Sequence, residues 1–255
     1  MKRIKRISNI SYILYVLALG LVMSSCNGAK MSVADEQMER GEYFDAAKTY
    51  RKIYNKLKPR EQRAQRAEVA YKMAECHRRL GQDARAAAAY QNALRYGYPD
   101  SSIVLCLAQS LHGQGAYPQA VKAYEEYLAL YPTDANAARQ LAGARKAAEL
   151  KKNKTRYVVR NASLFNSRRA DFAPMFNGDV LYFTTTNEKV KGTARSEITG
   201  MKRGDIWMAR KNELGAWQRP EPVEGELNSE WDEGICSFSP DGSTMSLTRA
   251  IRKPP

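Results

Sequence analysis

A short pattern that occurs three times constrains this chain of 255 residues more than any other feature. In each copy a glycine is followed five residues later by an alanine and nine residues later by a tyrosine. The glycines are Gly41, Gly81 and Gly115, which lie 40 and 34 residues apart. Glycine allows a sharp turn between two helices, alanine allows close approach, and tyrosine fills the gap to the next pair. The pattern therefore predicts stacked helix pairs.

The pattern resembles the tetratricopeptide repeat, whose units of about 34 residues form helix–turn–helix pairs. One pair cannot bury its apolar face alone. The resemblance therefore implies three stacked units over residues 33–152, with the alanine-rich segment from Ala135 to Lys152 as a capping helix. The longer first spacing predicts a six-residue insertion around residues 58–61. The alternative is a plain helical bundle that shares the three glycines.

From residue 153 to residue 255, short runs of β-branched and aromatic residues alternate with turn formers, a pattern typical of β-strands. Strands are predicted at residues 157–159, 180–186 and 206–209, the last leading into a strand that ends near Trp217. Pro-Asp-Gly at residues 240–242 predicts a tight turn between two further strands. The predicted fold class is α + β multidomain, an α-solenoid of helix pairs followed by an all-β domain.

Residues 171–178 and 233–242 share a second pattern, which resembles the TolB-like β-propeller repeat. The first copy has Asn177-Gly178 in place of the Ser-Pro-Asp turn, and Asn-Gly is itself a strong hairpin turn. The resemblance implies an incomplete propeller of about one and a half blades. Because a ring needs about 4 to 8 blades, we expect a truncated member of a longer architecture. Residues 189–203 are predicted to be an exposed loop, and the acidic residues from 221 to 233 a solvated turn.

The first 26 residues have the pattern of a lipoprotein signal. A basic start precedes fourteen mostly apolar residues, Ile10 to Met23, which are too few to cross a membrane, and then Ser24-Ser25-Cys26. We predict a signal peptide over residues 1–25, an acylated Cys26, and a lipidated tether over residues 26–32. The alternative is a non-lipidated signal peptide with an incidental cysteine.

Charge and motif content argue against nucleic-acid binding and catalysis. Residues 26–152 carry 21 basic and 14 acidic side chains, spread as on solvated helix faces and not clustered in a stripe. Nucleophile elbows, phosphate-binding loops and metal-ligand spacings do not occur. We therefore predict no enzyme, no cofactor and no metal. Cys76, Cys106 and Cys236 are interpreted as buried apolar residues, and a disulfide between the first two is left open.

In tetratricopeptide proteins, ligands usually lie against the inner face that each unit's first helix forms. The resemblance assigns partner binding to the matching positions here. These are Tyr71, Glu75 and Arg78 in the second unit and Leu105, Gln109 and His112 in the third. Aromatic and arginine side chains there provide anchors for an extended peptide. The alternative is an ordinary solvated helix face.

The order of these parts resembles OmpA-family peptidoglycan-associated outer-membrane lipoproteins that carry tetratricopeptide and propeller repeats, some of them linked to type IX secretion and gliding. This sequence has no OmpA-like domain, so peptidoglycan binding is assigned to no residue. The resemblance implies a non-catalytic adaptor, lipid-anchored at the periplasmic face of the outer membrane, with protein partners from the secretion or envelope-assembly machinery. The alternatives are an accessory module of a secreted peptidase and a TolB-like envelope protein.

We predict that Cys26→Ala leaves the helical unit folded but releases the protein from membranes, because acyl chains are the membrane contact that the sequence offers. Fractionation in high salt measures this. A variant that stays with the outer membrane as strongly as the wild type would contradict lipid anchoring.

Overall fold

The computed structural model describes residues 30–150, 152–153 and 155–250, and the chain divides into two units between residues 154 and 155. The predicted signal peptide and Cys26 lie outside the described residues. Of the predicted tether, residues 30–32 belong to the first described helix and residues 26–29 lie outside the description.

The first unit is a helical solenoid. Its helices are α1 (residues 30–39), α2 (Tyr43–Lys56), α3 (Arg63–Arg79), α4 (Asp83–Arg95), α5 (Ile103–Gly113), α6 (Tyr117–Leu130) and α7 (Ala135–Leu150). Each of α2 to α6 packs against the next helix along the chain, and α7 contacts both α5 and α6. The predicted helix pairs are confirmed, and α7 covers most of the segment predicted to be a capping helix.

The repeat glycines end the first helix of each pair. Gly41, Gly81 and Gly115 have φ values of +77°, +64° and +81°, in the left-handed region that glycine adopts without strain. The residue after each glycine donates its backbone N–H to a carbonyl five residues earlier, as from Gln82 to His77 at 2.9 Å, which closes the helix end. The predicted role of these glycines is confirmed.

Small residues lie where the paired helices cross. The alanines five positions after the glycines, Ala46, Ala86 and Ala120, are fully buried. The alanines seven positions before the glycines are also fully buried: Ala34, Ala74 and Ala108. A side chain of one carbon lets two helix backbones approach closely, and the larger tyrosines then fill the space between the pairs.

The predicted insertion around residues 58–61 is wrong. The connections before α3 and α5 are of similar length, residues 57–62 and 96–102, whereas α3 has 17 residues and α5 has 11. The six additional residues between the first two glycines therefore lengthen α3 and do not form a loop. Arg66 in the added turns donates to the backbone oxygens of Tyr54 and Leu57, which satisfies carbonyls at the end of α2.

The second unit contains two antiparallel sheets. Strands β1 (Asp171–Asn177), β2 (Val180–Thr185), β3 (Asp205–Arg210) and β4 (Glu221–Pro222) pair in that order, and β5 (Asp232–Phe238) pairs with β6 (Met245–Ala250). Both predicted turns are confirmed. Gly178 and Asp179 join β1 to β2, and the Pro-Asp-Gly segment joins β5 to β6. The described residues form two sheets and do not show a closed propeller.

Three predictions for this unit are wrong. Residues 157–159 form no strand, and Val159 is 96% exposed, because β-branched residues form a strand only where a partner strand is available. The strand expected to end near Trp217 stops at Arg210 and is followed by a turn. Glu233, which was predicted to lie in a solvated turn, is 1% exposed. It forms an ion pair with Arg249, with 2.7 Å between Oε1 and Nε.

Of the helices that the structure describes, none is both long enough and apolar enough to pass through a lipid bilayer.

We expect Gly115→Ala to lower the free energy of unfolding by about 1–2 kcal/mol, because an L-residue in the left-handed region is strained. Gly143→Ala is the matched control. Gly143 lies inside α7, and an added Cβ would meet only ordinary contact, 3.8 Å from His112 Cε1. That change should raise stability by about 0.5–1 kcal/mol. Urea unfolding of the full chain, followed by helical circular dichroism, tests whether the two effects have opposite signs.

Candidate partner-binding face

The candidate face belongs to α1, α3 and α5, the first helices of the three pairs. Residues 71, 75 and 78 are spaced by four and three positions, as are 105, 109 and 112, so each set lies along one side of its helix. The structure shows which of these side chains are available at the surface and which are used within the fold.

Glu75 is a buried acceptor and not an exposed anchor. Its side chain is mostly inaccessible to solvent. The carboxylate accepts hydrogen bonds from the Tyr90 hydroxyl and from Arg78, with Nη2 at 2.6 Å and Nε at 3.2 Å. Burial acts to raise the pKa of this carboxyl, but the hydrogen bonds from Arg78 and Tyr90 outweigh it, so the pKa is lowered. Glu75 therefore stays ionised and holds the partly exposed Arg78 guanidinium in one orientation.

Tyr71 provides a fixed aromatic surface. Its ring stacks on Tyr98 with centroids 4.4 Å apart and an interplanar angle of 18°, and lies 6.3 Å from the ring of Tyr90. Burial raises the pKa of Tyr71 to about 12, so the hydroxyl stays protonated at neutral pH. A partly exposed ring held between two others is well suited to contact a partner without losing conformational freedom.

Gln109 and His112 of the third unit belong to a cluster of polar side chains. Gln109 Nε2 and the Tyr124 hydroxyl both donate to Gln140 Oε1, each at 3.1 Å. His112 Nδ1 lies 3.4 Å from the Tyr124 hydroxyl, and its ring meets Tyr117 edge-on. Leu105 is half-buried against the core. The structure thus connects Gln109 to His112 through two intervening groups, the Gln140 amide and the Tyr124 hydroxyl.

A repeated set of hydrogen bonds from buried tyrosines, which we call the polar ladder, lies beneath this face. Its tyrosines are Tyr50, Tyr90 and Tyr124, and its partners on the first helices are Asp35, Glu75 and Gln109, each six residues before a repeat glycine. In the first unit the Tyr50 hydroxyl donates to Asp35 at 2.5 Å. In the third, Gln140 links the tyrosine to Gln109. The sequence contains this regularity, but the prediction did not use it.

In two of the three units, a residue on the helix that follows the pair also bonds to the first-helix member of the polar ladder. Lys72 on α3 donates to Asp35 Oδ1 at 2.9 Å, and Gln140 on α7 pairs with Gln109 on α5. These contacts join one unit to the next. They therefore fix the spacing of the first helices, and with it the spacing of any anchors along the face.

A cavity of about 430 Å³ opens among the first three helices. It is lined by Asp35, Met38, Glu39, Tyr43, Tyr50, Lys72 and Arg79. Lys72 and Arg79 belong to α3, the helix that also carries Tyr71 and Arg78, so this helix forms one wall of the cavity. Charged groups of both signs and two tyrosines give it hydrogen-bonding capacity suited to a polar peptide segment.

Groups for catalysis or metal binding are sparse on this face. Within residues 30–150, 152–153 and 155–250, the acids, histidines and cysteines form no group of three that is placed to hold a metal ion. Cys76, Cys106 and Cys236 are free thiols, so the disulfide considered between the first two is not formed. Burial raises the pKa of Cys76 to about 12, which keeps this thiol protonated and unreactive.

We expect Glu75→Gln to lower the free energy of unfolding at neutral pH by about 1–3 kcal/mol, since Arg78 and Tyr90 lose their charged acceptor. The folded-state pKa of Glu75 is below its ordinary value near 4.5. Its contribution is therefore present above that pH and lost as the pH falls through the lowered pKa. The difference between variant and wild type should shrink in acid.

Urea unfolding at neutral and acidic pH measures this, with Glu126→Gln on an exposed part of α6 as the control. The control should change stability by less than about 0.5 kcal/mol at both pH values. A Glu75→Gln effect that stays constant with pH would contradict a lowered pKa.

The tetratricopeptide repeat model matches residues 68–101 and 107–134, which hold the second and third helix pairs. The first tetratricopeptide domain of Spaghetti (RPAP3), solved with the HSP90 peptide SRMEEVD, is 17% identical, covers 48% of this chain and 93% of its own, and has a TM-score of 0.40. The first such domain of human RPAP3 is 18% identical, covers 51% of this chain and 97% of its own, and has a TM-score of 0.40. The Yersinia enterocolitica type III secretion translocator chaperone SycD is 18% identical, covers 51% of this chain and 96% of its own, and has a TM-score of 0.37. No curated protein matches the chain. On the family model and the helix pairs, the first unit contains tetratricopeptide repeats, a repeat type typical of protein–protein interaction.

Proposed function

We propose that this protein is a non-catalytic adaptor that binds protein partners through the first helices of its tetratricopeptide repeats. The observation that carries the proposal is the face on α3 and α5, where partly exposed side chains are held in place from beneath by the polar ladder. Tyr71 and Arg78 are the two principal anchors on this face.

Both anchors are fixed before a partner arrives. Tyr71 is stacked on Tyr98, and Arg78 is held by two hydrogen bonds to Glu75. Few additional side-chain rotations are therefore restricted when a partner binds, which reduces the entropic cost of association. Tyrosine and arginine are also among the residues that most often dominate interface energies. Leu105, Gln109 and His112 continue the contact along α5.

The ligand proposed for this face is an extended segment of a partner protein that crosses α1, α3 and α5. The cavity of about 430 Å³ beside α1 accepts one side chain of that segment. Arg79 on its wall favours an acidic or carbonyl group there, whereas Lys72 is already paired with Asp35. Glu75 acts as a positioning residue and does not itself contact the ligand.

The proposed location is the periplasmic face of the outer membrane, with Cys26 as the lipid anchor and with partners from secretion or envelope-assembly machinery. The signal pattern of residues 1–26 supports the anchor. We further propose that the second unit is related to TolB-like propeller blades, because its sheet of four antiparallel strands has the strand number of one blade.

Site-specific photo-crosslinking tests the binding face. Benzoylphenylalanine placed at Tyr71 or at Leu105 of the full chain in cells should give partner adducts upon irradiation, because both positions lie on the first helices. Lys122, an exposed residue of the second helix α6, is the matched control and should give few adducts. Equal adducts from all three positions, or adducts from Lys122 alone, would reject the inner face as the binding site.

A further inference from the structure

The second unit holds a cavity that the proposed adaptor function does not use. Its volume is about 840 Å³, and its walls come from the loop at residues 163–169, the turn at residues 187–189, strands β2 and β3, and residues 219–220. Ligand pockets generally have volumes of about 300–1,000 Å³, so this cavity is large enough for several residues of a peptide.

The cavity has an aromatic floor. Phe183 and Trp207, from neighbouring strands, are 5% and 8% exposed. Phe165 in the preceding loop lies edge-on to Phe183, with ring centroids 6.4 Å apart. This floor favours an apolar side chain in the ligand, since burying such a side chain releases water from both surfaces.

Trp207 adds a hydrogen-bond donor without an acceptor. Its Nε1 atom is buried and has no hydrogen-bond partner within the described part of the chain. Buried donors are nearly always paired, and an unpaired one costs free energy. Because a water-sized group does not reach Nε1, a carboxylate or carbonyl oxygen of a ligand pairs with it only when the indole ring turns toward the cavity.

The rim of the cavity is positively charged. Arg168, Lys189 and Arg219 are exposed, and their side chains make no hydrogen bond or ion pair with any residue that the structure describes. Arg169 differs, because Glu188 neutralises it at 2.5 Å. The three unpaired cations come from three separate segments of the chain, so the positive charge is spread along the rim.

We propose that this cavity binds an acidic peptide segment that carries an apolar side chain. The spread cations match carboxylates distributed along an extended chain better than one compact anion, and the floor accepts the apolar side chain. Trp207, with its ring turned toward the cavity, then donates to a carboxylate or carbonyl oxygen of the ligand. The site lies entirely in the second unit and is independent of the binding face on the helical repeat.

Fluorescence anisotropy of the full chain in detergent tests the proposal, with a labelled peptide of alternating glutamate and phenylalanine as the probe. Arg168→Glu combined with Arg219→Glu should weaken binding about tenfold or more, by removing two attractions and adding two repulsions. Lys48→Glu combined with Lys146→Glu changes the net charge equally on exposed positions of the helical unit and should leave binding within about twofold. Trp207→Phe keeps a ring but loses the donor and should weaken binding about fivefold or more.

Three results would overturn the proposal. The first is equal affinity for a peptide with glutamine in place of glutamate. The second is an equal loss of affinity in both charge-reversal pairs. The third is binding of phosphatidylglycerol vesicles, but not of the peptide, that depends on Arg168 and Arg219. Far-ultraviolet circular dichroism and a thermal melting transition that match the wild type verify folding of each variant, and the charge-reversal pair decides the outcome if Trp207→Phe does not fold.

Discussion

Each buried tyrosine hydroxyl of the helical unit requires an acceptor, because an unpaired buried polar group costs about 1–3 kcal/mol. Tyr50, Tyr90 and Tyr124 lie on second helices, and the groups that satisfy them lie on first helices or on the capping helix. A hydrogen bond of this kind sets both the distance and the rotation between two helices. The turn glycines and crossing alanines allow the helices to meet, and the hydroxyls determine how they meet.

This constraint extends from the core to the surface. Glu75 accepts from Tyr90 on its inner side and from Arg78 on its outer side, so one carboxylate connects the packing of a pair to the orientation of an exposed cation. Lys72 and Gln140 extend the same order from one unit to the next. The hydrogen bonds that stabilise the fold thus also hold the side chains of the proposed binding face in place.

The turns and helix pairs were predictable because a left-handed turn and a close helix crossing each admit few residue types. The extension of α3 was not, since residues around Arg63 and Arg66 suit a helix as well as a loop. Glu75 was expected at the surface because its charge and spacing fit a solvated face. It is buried because it accepts a hydrogen bond from Tyr90, fifteen residues later. The cavity at Trp207 is formed by a loop, a turn and strand residues that lie far apart in the sequence, and their spacing does not predict that they meet.

The polar ladder changes its chemistry along the solenoid. The first step pairs Asp35 with Lys72, the second places Glu75 against Arg78, and the third joins Gln109 to Gln140 without any formal charge. Salt screens charge–charge attraction at partly exposed positions and leaves neutral amide hydrogen bonds nearly unaffected. Since the stability of a repeat protein is approximately a sum over its units, rising ionic strength should weaken the contacts of the first unit more than those of the third. The difference between the units would then depend on salt, although the three pairs share one fold.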